Sequence, residues 1–125
     1  MSAKILYIED NPDNRMLVRR VLQAEGYTVI EANDGPSGIQ TATEQTPDLI
    51  LMDINLPDVD GYEITARIKQ LSGLAKVPVI ALTANVMKGD REKTLAAGCD
   101  GYIQKPIDID QLPAQIEHFL KRKVL

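Results

Sequence analysis

The sequence predicts an α/β fold in which five parallel strands alternate with five helices. Short apolar runs alternate along the chain with longer segments whose apolar residues recur at helical spacing, which is typical of consecutive βα units. Two of the runs, Ile5–Ile8 and Leu49–Met52, are apolar on successive residues, as in central strands that helices cover on both faces. These observations favour a doubly wound (βα)5 domain.

The five predicted strands are short apolar runs bounded by polar or turn-forming residues. They are Lys4–Ile8, Thr28–Glu31, Leu49–Met52, Val79–Leu82 and Gly101–Ile103. Pro47 and Pro78 mark the entries to the third and fourth strands, because proline interrupts a preceding helix.

The helices are predicted by apolar stripes and by residues typical of helix ends. The stripes are clearest in the first and last helices, at Leu17, Val18, Val21 and Leu22, and at Leu112, Ile116, Phe119 and Leu120. Asp34 and Asp60 stand at N-cap positions of the second and third helices. Gly26 and Gly98 follow the first and fourth helices, where a left-handed residue ends many helices.

Length, composition and charge limit the classes of function. The chain has 125 residues, 44% of them hydrophobic, which fits a single domain over residues 1–125. It carries 18 acidic residues against 14 Lys plus Arg, so we expect neither nucleic acid nor an anionic membrane as a partner. The single cysteine, Cys99, cannot form an internal disulfide, and no apolar run is long enough to span a membrane. We therefore expect a cytoplasmic protein.

Polar residues stand at the carboxyl ends of the predicted strands. Glu9 and Asp10 follow the first strand, Asp53 the third and Thr83 the fourth, and Lys105 lies just after the fifth. In an open parallel sheet, ligands bind beyond the carboxyl ends of the strands, where the strand order reverses. We therefore expect these five side chains to converge at one edge of the sheet.

The three acids of this group would repel one another at close range, and burial would add to the cost of their charge. Such a cluster takes up a proton or holds a cation. Oxygen ligands at a partly open site favour Mg²⁺, for which Mn²⁺ is expected to substitute. Alternatively, Glu9 and Asp10 only cap the first helix, which would leave Asp53 and Lys105 unexplained. Lys105 precedes Pro106 in a bond that can be cis, and it would oppose the acids.

Four segments carry a specific set of motifs in a fixed order along the chain. They are Glu9–Asp10, Leu51–Pro57 with Gly61, Ala81–Ala84, and Tyr102–Pro106. Together they resemble the response-regulator receiver domain, the phosphoacceptor module of two-component signalling, over essentially the whole chain. The resemblance implies a flavodoxin-like three-layer sandwich with strand order 2-1-3-4-5.

The resemblance also implies the phosphoryl chemistry. Asp53 would accept a phosphoryl group from a phosphohistidine on a sensor histidine kinase or a histidine phosphotransfer protein. Thr83 and Lys105 would contact the transferred group. The protein would then catalyse only its own phosphorylation and dephosphorylation, and so would be a signalling protein rather than an enzyme.

A metal site follows from the same resemblance. Asp10 would bind Mg²⁺ directly and Glu9 through water, while Asp53 and the main-chain carbonyl of Asn55 would complete the protein ligands. Receiver domains more often carry aspartate where this chain has Glu9. The longer glutamate side chain could therefore reach the metal itself.

A switch is implied at Thr83 and Tyr102. After phosphorylation the threonine hydroxyl would turn towards the phosphate, and Tyr102 would move from an exposed to a buried position. The face formed by the fourth helix, fifth strand and fifth helix would change shape and bind a downstream protein. We expect a monomer or a weak dimer.

Three alternatives can be weighed from the sequence, and we predict neither of the two enzymes among them. The chain could be an isolated receiver domain of a hybrid histidine kinase or a phosphorelay. A flavodoxin-like electron carrier would need a loop rich in Ser, Thr or Gly after the first strand, where this chain has Glu9–Asp13. A phosphatase would need a second aspartate two residues beyond Asp53, where Asn55 stands.

Overall fold

A computed structural model describes residues 3–54, 60–83 and 90–124, through which five strands alternate with five helices. The elements in chain order are β1 (Lys4–Ile8), α1 (Pro12–Ala24), β2 (Thr28–Ala32), α2 (Gly35–Gln45), β3 (Leu49–Asp53), α3 (Gly61–Gln70), β4 (Val79–Thr83), α4 (Asp90–Ala96), β5 (Gly101–Gln104) and α5 (Leu112–Val124). Every predicted strand is present, and four of the five end one residue later than the sequence predicts. Asp53 and Thr83 are therefore the last residues of their strands.

The strands form one parallel sheet in the order β2-β1-β3-β4-β5, which confirms the predicted order. Ile8 of β1 is in register with Met52 of β3, and Asp53 is in register with Leu82 of β4. The carboxyl ends of these three strands therefore share one edge. The strand order reverses between β1 and β3, which is the place where open parallel sheets bind ligands.

Alternating side chains build a separate core on each face of the sheet. On one face, Ile5, Tyr7 and Leu51 pack with residues of α1 and α5. On the other face, Leu6 and Ile8 pack with residues of α2 and α3. Glu9 and Asp53 follow Tyr7 and Leu51 by two positions. Alternation along the strands therefore places them on the same face, the one that α1 and α5 cover.

The predicted helix ends agree with the structure. The Asp34 carboxylate accepts a hydrogen bond of 2.8 Å from the Ser37 main-chain N–H and caps α2. Asp60 caps α3 through the Tyr62 N–H at 2.9 Å. Gly98 has a positive φ of 96°, as a left-handed exit from α4 requires. None of the described helices has both the length and the apolar character to cross a membrane.

The predicted apolar stripe of α1 is correct except at Leu17. Val18 and Leu22 are buried and Val21 packs partly against them, but Leu17 is 45% exposed. Leu17 is exposed because it is not part of the packed core on this face of the sheet. It lines a hollow of about 400 Å³ between α1 and the segment that joins β5 to α5.

Candidate functional site

Three carboxyl groups meet at the carboxyl edge of the sheet. Glu9, Asp10 and Asp53 each offer one carboxylate oxygen, and these oxygens all lie within 4.8 Å of one another. Glu9 and Asp53 are buried, with only 1% and 2% exposed, whereas Asp10 is exposed. Because β1 and β3 are parallel neighbours, the residues at their ends come together although they lie more than 40 positions apart in the chain.

Lys105 closes the other side of this cluster. Its ammonium donates a hydrogen bond of 2.7 Å to Asp53 Oδ1 and lies 3.9 Å from Glu9 Oε1. The Lys105 main-chain N–H donates to the Thr83 carbonyl at 2.8 Å, which ties the end of β5 to the end of β4. The Lys105–Pro106 peptide bond is cis. Among the residues that the structure describes, Lys105 thus lies within 4 Å of both buried acids, Glu9 and Asp53.

Burial and neighbouring carboxyl groups raise the pKa of Glu9. Burial is the largest cause of its rise from 4.5 to about 7, followed by the hydrogen-bonded Asp53 carboxyl and its charge, while Lys105 opposes the rise. The Lys105 ammonium by itself would not neutralise three carboxylates. The cluster therefore takes up a proton near neutral pH or gains by binding a cation. Its all-oxygen donor set fits a hard divalent ion such as Mg²⁺.

The remaining predicted site residues lie around this cluster in different ways. Thr83 is buried and is the last residue of β4, at the same edge. Tyr102, on β5, is 38% exposed. Asn55, the predicted carbonyl ligand, lies outside the described residues. Glu9, Asp10, Asp53 and Lys105 thus lie together, whereas the roles of Thr83 and Tyr102 stay a prediction.

The cap of α1 corrects the alternative role considered for the acids. The Asn11 side chain accepts hydrogen bonds from the main-chain N–H groups of Asp13 and Asn14, at 2.9 and 3.0 Å. Asn11 is therefore the N-cap, and neither Glu9 nor Asp10 has that role. An asparagine directly before a proline was the signal in the sequence, because proline is common at the first position of a helix.

Two residues that the sequence analysis missed contact the acidic cluster. The Tyr7 hydroxyl donates to Glu9 Oε1 at 3.1 Å, and the Asn14 amide donates to the same oxygen at 3.2 Å. Burial, followed by the charge of Glu9, raises the pKa of Tyr7 far above its usual range, so its hydroxyl keeps its proton. A single tyrosine in a buried aliphatic strand was a signal for Tyr7, since a buried hydroxyl needs a partner. No comparable signal marked Asn14, a polar residue on an exposed part of a helix.

Comparison with known proteins identifies the family. A family model described as the response regulator receiver domain matches residues 5–117. The chain belongs to this family. Among its relatives, the polar-differentiation response regulator DivK of Brucella ovis is 42% identical over 120 residues, which are 96% of this chain and 98% of DivK.

Solved receiver structures agree with this fold. The chemotaxis protein CheY4 of Vibrio cholerae has a TM-score of 0.91 at 27% identity, over 95% of this chain and 99% of that protein. The receiver domain of sensor histidine kinase PA1611 from Pseudomonas aeruginosa has a TM-score of 0.88 at 38% identity, over 97% and 99%. That structure contains a magnesium ion coordinated in its active-site cleft.

Membership of the family establishes the general role of the chain. Receiver domains accept phosphoryl groups from histidine kinases or phosphotransfer proteins and act on downstream targets. This receiver domain is accordingly a regulator in two-component signalling.

Proposed function

We propose that this receiver domain accepts a phosphoryl group on Asp53 in a reaction that depends on Mg²⁺. The observation that carries the proposal is the contact of 2.7 Å between Lys105 Nζ and Asp53 Oδ1 inside a cluster of three carboxyl groups. A carboxylate that is buried, paired with an ammonium and placed at the edge of a parallel sheet is suited to nucleophilic attack on phosphorus.

The reaction itself needs little covalent machinery. A carboxylate oxygen of Asp53 attacks the phosphorus of a phosphohistidine, so a P–O bond forms while the P–N bond breaks. The departing imidazole nitrogen takes up a proton. Lys105 contacts Asp53 before the reaction. Its ammonium would then contact the phosphoryl oxygens and stabilise their negative charge.

The acids that would hold the metal are Glu9, Asp10 and Asp53, with the Asn55 carbonyl as a further predicted ligand. Their oxygens are close enough together to share one ion, and burial followed by the neighbouring Asp53 carboxyl raises the pKa of Glu9, so a bound cation would favour its ionised form. When bound, Mg²⁺ supplies positive charge that offsets the charge of the phosphoryl oxygens. Mn²⁺ is proposed to substitute for it.

Signalling is proposed to follow from the added charge. Phosphorylation of Asp53 brings about 1.5 to 2 negative charges to the carboxyl edge of the sheet. The Thr83 hydroxyl would turn towards this charge and leave space that Tyr102 fills. The 38% exposure of Tyr102 supports its role as the residue that moves from an exposed to a buried position. The face of α4, β5 and α5 would then bind a downstream protein.

A second assignment concerns the context of the domain rather than its chemistry. The 38% identity with the receiver domain of sensor histidine kinase PA1611 favours a role as the receiver part of a hybrid kinase or phosphorelay. The 42% identity with DivK favours a separate response regulator, and we propose that the chain is a separate response regulator. A cytoplasmic location stays a prediction, for which the lone, buried Cys99 is the support.

The intact mass of the protein after incubation with Mg²⁺ and acetyl phosphate tests the proposed chemistry. Acetyl phosphate replaces the unidentified kinase, because the lysine and the metal stabilise the transferred group whatever the leaving group is. We expect a gain of one phosphoryl group, which hydroxylamine removes as it removes other acyl phosphates.

Asp53→Asn should abolish this gain, and so should removal of the metal. The matched control is Asp100→Asn, because Asp100 also pairs with a lysine at 2.7 Å but lies at the opposite edge of the sheet. Equal phosphorylation of the Asp53→Asn variant and the parent protein would refute the assignment of the acceptor.

A further inference from the structure

Glu9 is held at four points by residues outside the acidic cluster. Its main-chain N–H donates to the Ala32 carbonyl at 3.0 Å, and its own carbonyl accepts from Arg15 Nη1 at 2.7 Å. Its side-chain Oε1 accepts from the Tyr7 hydroxyl at 3.1 Å and from the Asn14 amide at 3.2 Å. Both the backbone and the carboxyl group of Glu9 are therefore constrained.

Tyr7 reaches Glu9 because of the alternation of β1. The two residues are two positions apart in the strand, so both point to the face covered by α1 and α5. Tyr7 is completely buried, and its ring packs in the core of that face. Because packing fixes the ring, the Tyr7 hydroxyl is held in a fixed position next to the Glu9 carboxyl group.

The two donors also decide which oxygen of Glu9 is left for a cation. Each carboxylate oxygen has two lone-pair directions, and the Tyr7 hydroxyl and the Asn14 amide both approach Oε1. A metal ion competes with hydrogen-bond donors for the same lone pairs, so Oε2 is the better ligand atom.

We propose that Tyr7 is a positioning residue that, together with Asn14, occupies Oε1 of Glu9 and so presents Oε2 to the divalent cation. This inference rests on the metal site of the proposed function. Glutamate has one more rotatable side-chain bond than aspartate, so an unrestrained Glu9 would lose more conformational freedom on binding a cation. The contacts of Tyr7 and Asn14 restrain that freedom before the cation arrives.

A double-mutant cycle on Mn²⁺ affinity tests the proposal. Free Mn²⁺ is counted from its electron paramagnetic resonance signal during titration of the folded protein. Tyr7→Phe removes the hydroxyl and keeps the ring, and we expect the affinity to fall about tenfold, as for other residues that orient a metal ligand. In a Glu9→Gln background the same substitution should change the affinity less than about twofold, because its effect passes through the Glu9 carboxylate.

Tyr27→Phe is the matched control, since Tyr27 is a partly buried tyrosine that lines a different hollow with Glu25 and Asp110. It should bind Mn²⁺ like the parent protein. Asn14→Ala, which alters a surface residue, provides a second variant if Tyr7→Phe does not fold. It should weaken binding in the parent but not in the Glu9→Gln background.

The outcomes separate this inference from the proposed function. A parent protein that binds Mn²⁺, with unchanged affinity in the Tyr7→Phe variant, would overturn the positioning role alone. Equal losses in the parent and Glu9→Gln backgrounds would also overturn it, because they would indicate a general structural effect. A parent protein that binds no Mn²⁺, or an Asp53→Asn variant that binds it unchanged, would overturn the proposed metal site and this inference together.

Discussion

Two lysine–aspartate pairs of the same length lie at opposite edges of the sheet. Lys105 and Asp53 are 2.7 Å apart at the carboxyl edge, and Lys69 and Asp100 are 2.7 Å apart at the amino edge of β4 and β5. Their surroundings differ. Asp53 is buried beside Glu9, whereas Asp100 is 44% exposed in its side chain.

The partners of each pair explain the difference. Lys69 also donates to the Val77 carbonyl at 2.7 Å, and the Asp100 carboxylate accepts from the Val79 N–H at 2.9 Å. That pair is completed by main-chain groups and joins α3, the start of β4 and the turn before β5. The pair at Lys105 lies beside two more carboxyl groups, those of Glu9 and Asp10. A short ion pair thus stabilises the fold at one edge and belongs to a cluster of carboxyl groups at the other.

The largest expected difference between the two edges is in cation binding. Asp53→Asn should weaken Mg²⁺ affinity roughly a hundredfold, or about 3 kcal/mol, because it removes one of three clustered carboxylates. Asp100→Asn should leave the affinity unchanged within about twofold, because Asp100 lies at the other edge. Isothermal titration calorimetry measures both. Similar losses in the two variants would remove the distinction between the edges.

A second expected difference between the two edges is in how the stability of the metal-free protein depends on pH. Native Glu9 holds its proton up to about pH 7, whereas an unfolded glutamate releases it near the usual pKa of 4.5. The free energy of unfolding should therefore fall, by about 2–3 kcal/mol, as the pH rises from about 5 to about 8. Urea unfolding at several pH values measures this slope.

Glu9→Gln should remove the part of the slope that belongs to the site, and Asp100→Asn should keep it. Saturating Mg²⁺ should also flatten the slope, since the cation binds the ionised carboxylates. A slope that survives Glu9→Gln would assign the pH dependence to other groups.

The smallest expected effects come from replacing each lysine by methionine. Lys69→Met should lower the free energy of unfolding by about 1–2 kcal/mol, because the Val77 carbonyl and the Asp100 carboxylate lose a donor. Lys105→Met should also destabilise the metal-free protein, because it removes the ammonium that contacts Asp53 and Glu9.

Added Mg²⁺ distinguishes the two lysine variants. It should stabilise Lys105→Met more than the parent protein, since the competing ammonium is gone, and it should stabilise Lys69→Met and the parent equally. Urea unfolding with and without Mg²⁺ gives the comparison. An equal gain in all three proteins would show that Lys105 does not compete for the cation site.

The sequence predicted the edge of the sheet more reliably than the contacts at that edge. Each strand was found, and the strand ends differ by at most one residue, because apolar runs and the residues that bound them are local features. The exposed Leu17 was assigned to a buried stripe, because periodicity describes the face of a helix but not where the core beneath it stops.

The sequence by itself determined that Glu9, Asp10, Asp53 and Lys105 would meet, since the carboxyl ends of neighbouring parallel strands share one edge. The tertiary structure alone decided that Tyr7 and Asn14 hold Glu9, and that Lys69 pairs with Asp100 across 31 positions of the chain. Such contacts depend on distances of a few tenths of an ångström between side chains of different elements. A pattern of residue types predicts which elements form, but the packing of one element against another selects the atoms that touch.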